Sequence, residues 1–182
     1  VVVKTLQGHF DAINAVAITP DGHRAVSGAR DNTLKVWDVQ SGNLTQTLAG
    51  HSNGLNAVAV SADGQRAVSV ALDNTLKVWD VSLEKELPTI PGHTEFVRAV
   101  ALTPNGRWAI TAADDQTLKV WDVATGAELQ TLVGHSDQVW VVAILCDGQQ
   151  AVSGSFDNTL KIWQLLKNCE RWRDTQQRLH RC

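Results

Sequence analysis

The stretch that decides the fold runs from Gly8 to Asp38 and reads GHFDAINAVAITPDGHRAVSGARDNTLKVWD. Its opening pair returns as Gly50-His51, Gly92-His93 and Gly134-His135, each 42 residues after the last, and its Trp37 returns at the same step as Trp79, Trp121 and Trp163. Self-similarity at such a period marks a repeat architecture, each copy being one supersecondary unit. Ala12 to Thr19 alternates with period two and is largely apolar on both sides, the pattern of a strand sandwiched between layers. Pro20-Asp21-Gly22 makes a tight turn, because Pro presets its own φ and Gly accepts a positive one. Arg24 to Ala29 is a second strand, Asp31-Asn32 turns the chain, and Thr33 to Trp37 is a β-branched and aromatic third strand. After a loop with Ser41-Gly42, Leu44 to Leu48 is a shorter fourth. Four antiparallel strands of this kind make a propeller blade, which cannot bury both faces without neighbours.

The span from Gly-His to Trp37-Asp38, Trp79-Asp80 and Trp121-Asp122 resembles the WD-repeat β-propeller family over Val1 to about Leu165. The resemblance implies an all-β propeller of four WD-type four-stranded antiparallel blades at about 8–49, 50–91, 92–133 and 134–165. It also implies a hydrogen-bonded tetrad in each copy. The sets are His9, Ser27, Asp31 and Trp37; His51, Ser69, Asp73 and Trp79; His93, Thr111, Asp115 and Trp121; and His135, Ser153, Asp157 and Trp163. The residue types suit one another, since Trp donates, a hydroxyl donates and accepts, His bridges and ionised Asp accepts. Breaking such a buried network leaves a partner unsatisfied at roughly 1–3 kcal/mol.

Ser, His and Asp also suggest a hydrolytic triad. The set occurs in every copy, always with Trp and once with Thr for Ser, whereas an enzyme rarely needs four nucleophiles. Gly50-His51-Ser52-Asn53-Gly54 matches the G-x-S-x-G string, but that motif needs a strand-to-helix turn and this one enters a strand. The repeated histidines sit one per copy, and His23 and His180 have no ligand-spaced neighbour, so no metal site and no cofactor is expected. Lys35, Lys77, Lys119 and Lys161 alternate with apolar residues on the third strands and read as snorkelling side chains, not a phosphate ring. Asn43-Leu44-Thr45 is a sequon by pattern only.

A net charge of −3 and a pI near 6.0 offer no basic footprint for nucleic acid. The charge is uneven, for residues 165–182 carry +3 against −6 on the rest. Cys146, Cys169 and Cys182 are odd in number and imply no disulfide framework, which favours a reducing, cytoplasmic location. No apolar run is long enough to span a membrane or to act as a signal core. The chain lacks methionine altogether and is expected to be a piece of a longer product.

Function in a propeller is expected where the repeat leaves residues free to vary. Family partner contacts map here onto Ala12, Asn14 and Arg30; Gly54, Asn56 and Leu72; Phe96, Arg98 and Asp114; and Gln138, Trp140 and Phe156. Phe96, Arg98, Trp140 and Phe156 are of types that dominate binding hot spots, and they stand where the other copies hold small or polar residues or Leu72. The expectation is a noncatalytic scaffold or sensor in signalling that takes a peptide or protein on this face, with no nucleic acid or membrane partner. The alternatives are a propeller enzyme and the structural half of an oligomeric ring.

Val1 to Leu6 aligns with the fourth strands, as Lys4-Thr5-Leu6, Gln46-Thr47-Leu48 and Gln130-Thr131-Leu132 show, while the last copy stops after its third strand. The first strand 1–6 is therefore expected to complete the last blade. Family rings more often have about seven or eight blades. That leaves a homodimer forming an eight-bladed ring, upstream blades of a longer chain, and closure within one chain. The basic tail 166–182, with Leu166, Cys169, Trp172 and Leu179 at helical spacing, is expected to be a short helix.

Overall fold

The computed structural model describes residues 1–81, 85–86 and 89–165. These form four antiparallel sheets, one per repeat. The first contains β1 (Ile13–Ile18), β2 (Arg24–Ala29), β3 (Thr33–Asp38) and β4 (Leu44–Ala49), in that order. The second contains β5 (Leu55–Val60), β6 (Arg66–Ala71) and β7 (Thr75–Asp80), with the short β8 (Lys85–Glu86) and β9 (Ile90–Pro91) both on β7. The third contains β10 (Val97–Leu102), β11 (Trp108–Ala113), β12 (Thr117–Asp122) and β13 (Glu128–Val133). The fourth contains β14 (Val139–Ile144), β15 (Gln150–Ser155) and β16 (Leu160–Gln164).

The strand and turn chemistry read in the first copy holds. Gly22 has φ +71°, and Asn32, Asn74, Gln116 and Asn158 take the left-handed conformation at the second turn, a region that only Asn, Asp and Gly enter readily. Because alternate residues are apolar on both faces, consecutive sheets bury their faces against each other. Val26, Leu34, Val36 and Leu48 pack on Leu55, Ala67, Ala71 and Trp79, and equivalent layers join the second sheet to the third and the third to the fourth. Burying one such aliphatic side chain is worth about 1.5–3 kcal/mol.

Several expectations need correction. In the second repeat the described residues of the fourth strand are β8 and β9, which both pair with β7. The first strand is sandwiched in the two middle sheets only. In β1 Ile13, Val16 and Ile18 are 54%, 67% and 61% exposed, because no sheet covers that side. Val1–Leu6 joins no sheet within the chain: it runs beside the first one, with Leu6 and Lys4 against Gly42 and the Lys4 ammonium donating to the Gln40 carbonyl. The fourth sheet correspondingly has three strands among the described residues. The expected helix over 166–182 lies outside the described residues.

Candidate functional site

Two constellations rise from this scaffold. In the first, each Trp, brought by the third strand, donates its indole N–H to the hydroxyl of the second strand: Trp37 to Ser27 and Trp79 to Ser69 at 2.8 Å, Trp121 to Thr111 at 2.9 Å and Trp163 to Ser153 at 2.7 Å. The same hydroxyl lies 2.7–2.8 Å from Nε2 of His9, His51, His93 or His135. The other ring nitrogen, Nδ1, lies 2.7–2.9 Å from Oδ2 of Asp31, Asp73, Asp115 or Asp157. Because Trp only donates, the neutral arrangement that serves every member sends the hydroxyl proton to Nε2 and the Nδ1 proton to Asp.

Each Asp also accepts from the backbone N–H after the His and from the backbone N–H and hydroxyl of a following Thr. At Asp31 burial is the largest single influence and works to raise the pKa, yet the bonds from Thr33, Phe10 N–H and His9 together outweigh it and hold the carboxyl at about 2. Asp73 and Asp115 follow the same balance and fall well below the usual range; at Asp157 the Thr159 hydroxyl leads. The sixteen tetrad residues are thus joined as the resemblance implies, and the serine and threonine hydroxyls at their centres are at most 5% exposed as residues. The lysine reading changes: Lys35 and Lys77 are buried and do not snorkel, their ammonium groups donating to Thr47 on β4 and to Thr89 just before β9, while Lys119 pairs with Glu128.

The second constellation is the predicted variable face of the third and fourth repeats. Arg98 grips Asp114 with two guanidinium nitrogens, its Nε donating at 2.7 Å. The same guanidinium lies 4.6 Å from the Trp140 ring centre and 5.5 Å from that of Phe96. Trp140 stacks on Phe156, ring centres 4.7 Å apart and planes 24° from parallel, and donates to Gln138. Phe96, Trp140 and Phe156 remain 40%, 40% and 55% exposed. The row Phe96, Arg98, Trp140, Phe156 crosses from one sheet to the next, with the cation compensated by Asp114.

Its cause is a β-bulge. The ladder slips at Asn14, Asn56, Arg98 and Trp140, the second residue of each first strand. A bulge re-aims its extra side chain. In the first two repeats that side chain is structural: Asn14 donates to the Leu55 carbonyl at 2.9 Å and Asn56 to that of Val97 at 2.8 Å, tying each sheet to the next. Sequence reading placed both asparagines on the partner face and missed this role, which only the stacking of sheets reveals. Arg30 is exposed with its Cα beside Gly54, Leu72 is half-buried, and neither joins the aromatic row. Among the described residues no group of three His, Cys, Asp or Glu is placed to hold a metal ion.

A family model described as WD domain, G-beta repeat, matches residues 1–38, 42–80, 84–122 and 126–164. Periodic tryptophan protein 2 of Saccharomyces cerevisiae is 53% identical over 36 residues, 20% of this chain and 4% of that protein. Protein groucho of Drosophila melanogaster is 39% identical over 46 residues, 25% of this chain and 6% of its own length. The guanine nucleotide-binding protein subunit beta of Zea mays is 41% identical over 44 residues, 24% and 12% of the two chains. Each similarity thus spans about one repeat and a small part of the relative.

Proposed function

Since the chain belongs to the WD domain, G-beta repeat family, we propose that it is a noncatalytic propeller-type scaffold that takes a peptide or protein partner on the face of its third and fourth repeats. WD repeats generally serve protein–protein interaction, and the matched relatives carry the same repeat. The observation that carries the reading is the row in which Arg98 lies 4.6 Å from Trp140 and Trp140 stacks on Phe156. Phe96, Arg98 and Trp140 stand at positions that the first two repeats leave small or use for sheet-to-sheet bonds, Phe156 stands where they hold Arg30 and Leu72, and the three rings remain exposed. Aromatic and Arg anchors of this kind supply most of the energy of protein interfaces. A mixed aromatic and Arg/Asp patch of this kind suits an extended peptide or a partner loop better than a small metabolite.

The tetrads support the noncatalytic part. Their Ser-His-Asp distances are those of a triad, but the hydroxyl is buried and already receives an indole N–H, so no substrate carbonyl can reach it. A signalling role in the cytoplasm fits such a scaffold. No described helix is long and apolar enough to cross a membrane.

The test is selection from a displayed peptide library on the immobilised chain, followed by binding of the selected peptides to Trp140→Ala and Phe96→Ala. Both residues are hot-spot types, so each substitution is expected to weaken binding by about tenfold or more. Undiminished binding to both variants would discard this surface.

A further inference from the structure

The chain contains two Asn-Gly pairs, Asn53-Gly54 and Asn105-Gly106. Such a pair is prone to lose its side-chain amide, because glycine has no Cβ to keep its backbone nitrogen away from the asparagine side-chain carbon. Both asparagines are exposed, so access of water does not separate them. The hydrogen bonds around them do.

Asn105 lies in the turn between β10 and β11. Its Oδ1 accepts from the Thr103 hydroxyl at 2.7 Å and from the Arg107 N–H at 3.0 Å, so the side chain reaches past Gly106 to the residue beyond it. The Gly106 N–H donates instead to the Thr103 carbonyl at 2.8 Å, and Gly106 has φ +66°. The other repeats build the same turn from Asp21-Gly22, Asp63-Gly64 and Asp147-Gly148, and each of these glycines donates to the carbonyl at the position of Thr103. The turn therefore holds the nitrogen and the side-chain carbonyl of Asn105-Gly106 apart.

Asn53 lies at the entry to β5, and its Oδ1 accepts from the N–H of Gly54 itself, at 2.8 Å. Carbonyl and nitrogen already face each other, with Cγ one covalent bond from that oxygen. The equivalent pairs are Asp11-Ala12, Glu95-Phe96 and Asp137-Gln138. Asp11 and Asp137 fold back in the same way, accepting from the next N–H at 2.6 and 2.7 Å. They carry no amide to lose, and the residue after each has a Cβ. At this place Asn53-Gly54 alone combines the leaving group with glycine.

We infer that Asn53 is a site of spontaneous deamidation in the folded chain and that Asn105 is protected by its turn. Hydroxide removes the Gly54 amide proton, and the nitrogen pair attacks Asn53 Cγ. The Cγ–Nδ2 bond breaks, ammonia leaves with a proton from water, and a cyclic succinimide remains. Water then opens the ring. Opening between Cγ and the Gly54 nitrogen gives aspartate; opening between the main-chain carbonyl and that nitrogen gives isoaspartate, which adds a methylene to the backbone. The aspartate copies Asp11 and Asp137, so the fold accommodates it, and it places a negative charge at the strand entry beside the exposed Arg30. Isoaspartate lengthens the chain between Ser52, whose N–H donates to Asp73 at 2.9 Å, and Gly54, whose carbonyl accepts from Leu72 at 2.9 Å. It loosens the joint between the second tetrad and β5.

The test uses the unmodified chain, held in mildly alkaline buffer, sampled over time and mapped by mass spectrometry with fragmentation, isoaspartate being read by enzymatic methylation. The amide-to-acid mass gain should accumulate at Asn53 more than about tenfold faster than at Asn105, where ring closure first breaks the bonds to Thr103 and Arg107. In urea the two sites should convert at comparable rates, because the turn is gone. Equal rates in the folded chain overturn the proposal, and so does a folded chain that keeps Asn53 intact while the unfolded chain converts it. Asn53→Asp should melt with the parent chain; a lower melting temperature overturns the claim that the fold accepts the aspartate.

Discussion

Ser69 shows what a single residue does here. Its hydroxyl accepts from Trp79 and bonds His51, and it is wholly buried, so Ser69→Ala strands a donor and an acceptor at once. The expected cost is about 1–3 kcal/mol by urea denaturation, whereas Ser69→Thr, which copies the third repeat's Thr111, should cost less. The tetrad carboxylates set the acid response. Asp31, Asp73 and Asp115 are held below their ordinary range when folded, so the unfolded chain takes up protons first as pH falls below about 4. Their stabilisation is present above that pH and is lost progressively as pH falls toward about 2, the value for Asp31. The melting temperature should fall steadily across that window, and less steeply in Asp73→Asn, which is already weaker at pH 6. A melting temperature that holds constant down to pH 2 contradicts this. At Gln116, φ is +68° where the other repeats have Asn. Gln116→Asn should stabilise, by less than the roughly 1–2 kcal/mol that the left-handed region costs an ordinary residue. The tetrads were legible in sequence because four aligned copies separate fixed residues from free ones. The burial of Lys35 was not, because its partner Thr47 is supplied by a strand whose register the spacing leaves open.

At the scale of the element, the strands and turns follow from alternation and turn chemistry. The bulge at Asn14, Asn56, Arg98 and Trp140 does not, since a one-residue slip depends on the pairing between two strands and leaves no mark in either alone. That slip divides the predicted partner face into two asparagines that fasten sheets and an aromatic row that remains exposed. Contacts between sheets are equally specific. Gly28→Val should crowd Leu55 and cost about 1–3 kcal/mol, and Leu55→Ala should cost about 2–5 kcal/mol by leaving a cavity. Together they set a larger side chain against a smaller one across the same contact, so the double variant should lose less than the sum of the two. A strictly additive cycle by urea denaturation contradicts the direct contact.

For the whole molecule, the family and the all-β, four-sheet plan were legible from the period of Gly-His and Trp, because each blade must find neighbours for both apolar faces. The placement of Val1–Leu6 was legible as a strand's alignment but not as its position, which the first sheet and not the fourth determines within one chain. The residues of the proposed partner face stood out in the sequence as four exceptions; their gathering into one row rests on the stacking of the third sheet on the fourth. The claim that this row is the working surface, and the rest scaffold, is tested most directly by hydrogen exchange mapped over the whole chain with and without a selected peptide. Added protection should concentrate at Phe96–Arg98, Asp114, Gln138–Trp140 and Phe156, leaving the amides around Asn14 and Arg30 unchanged. Protection confined to the first two repeats, or spread evenly over the four, would contradict it.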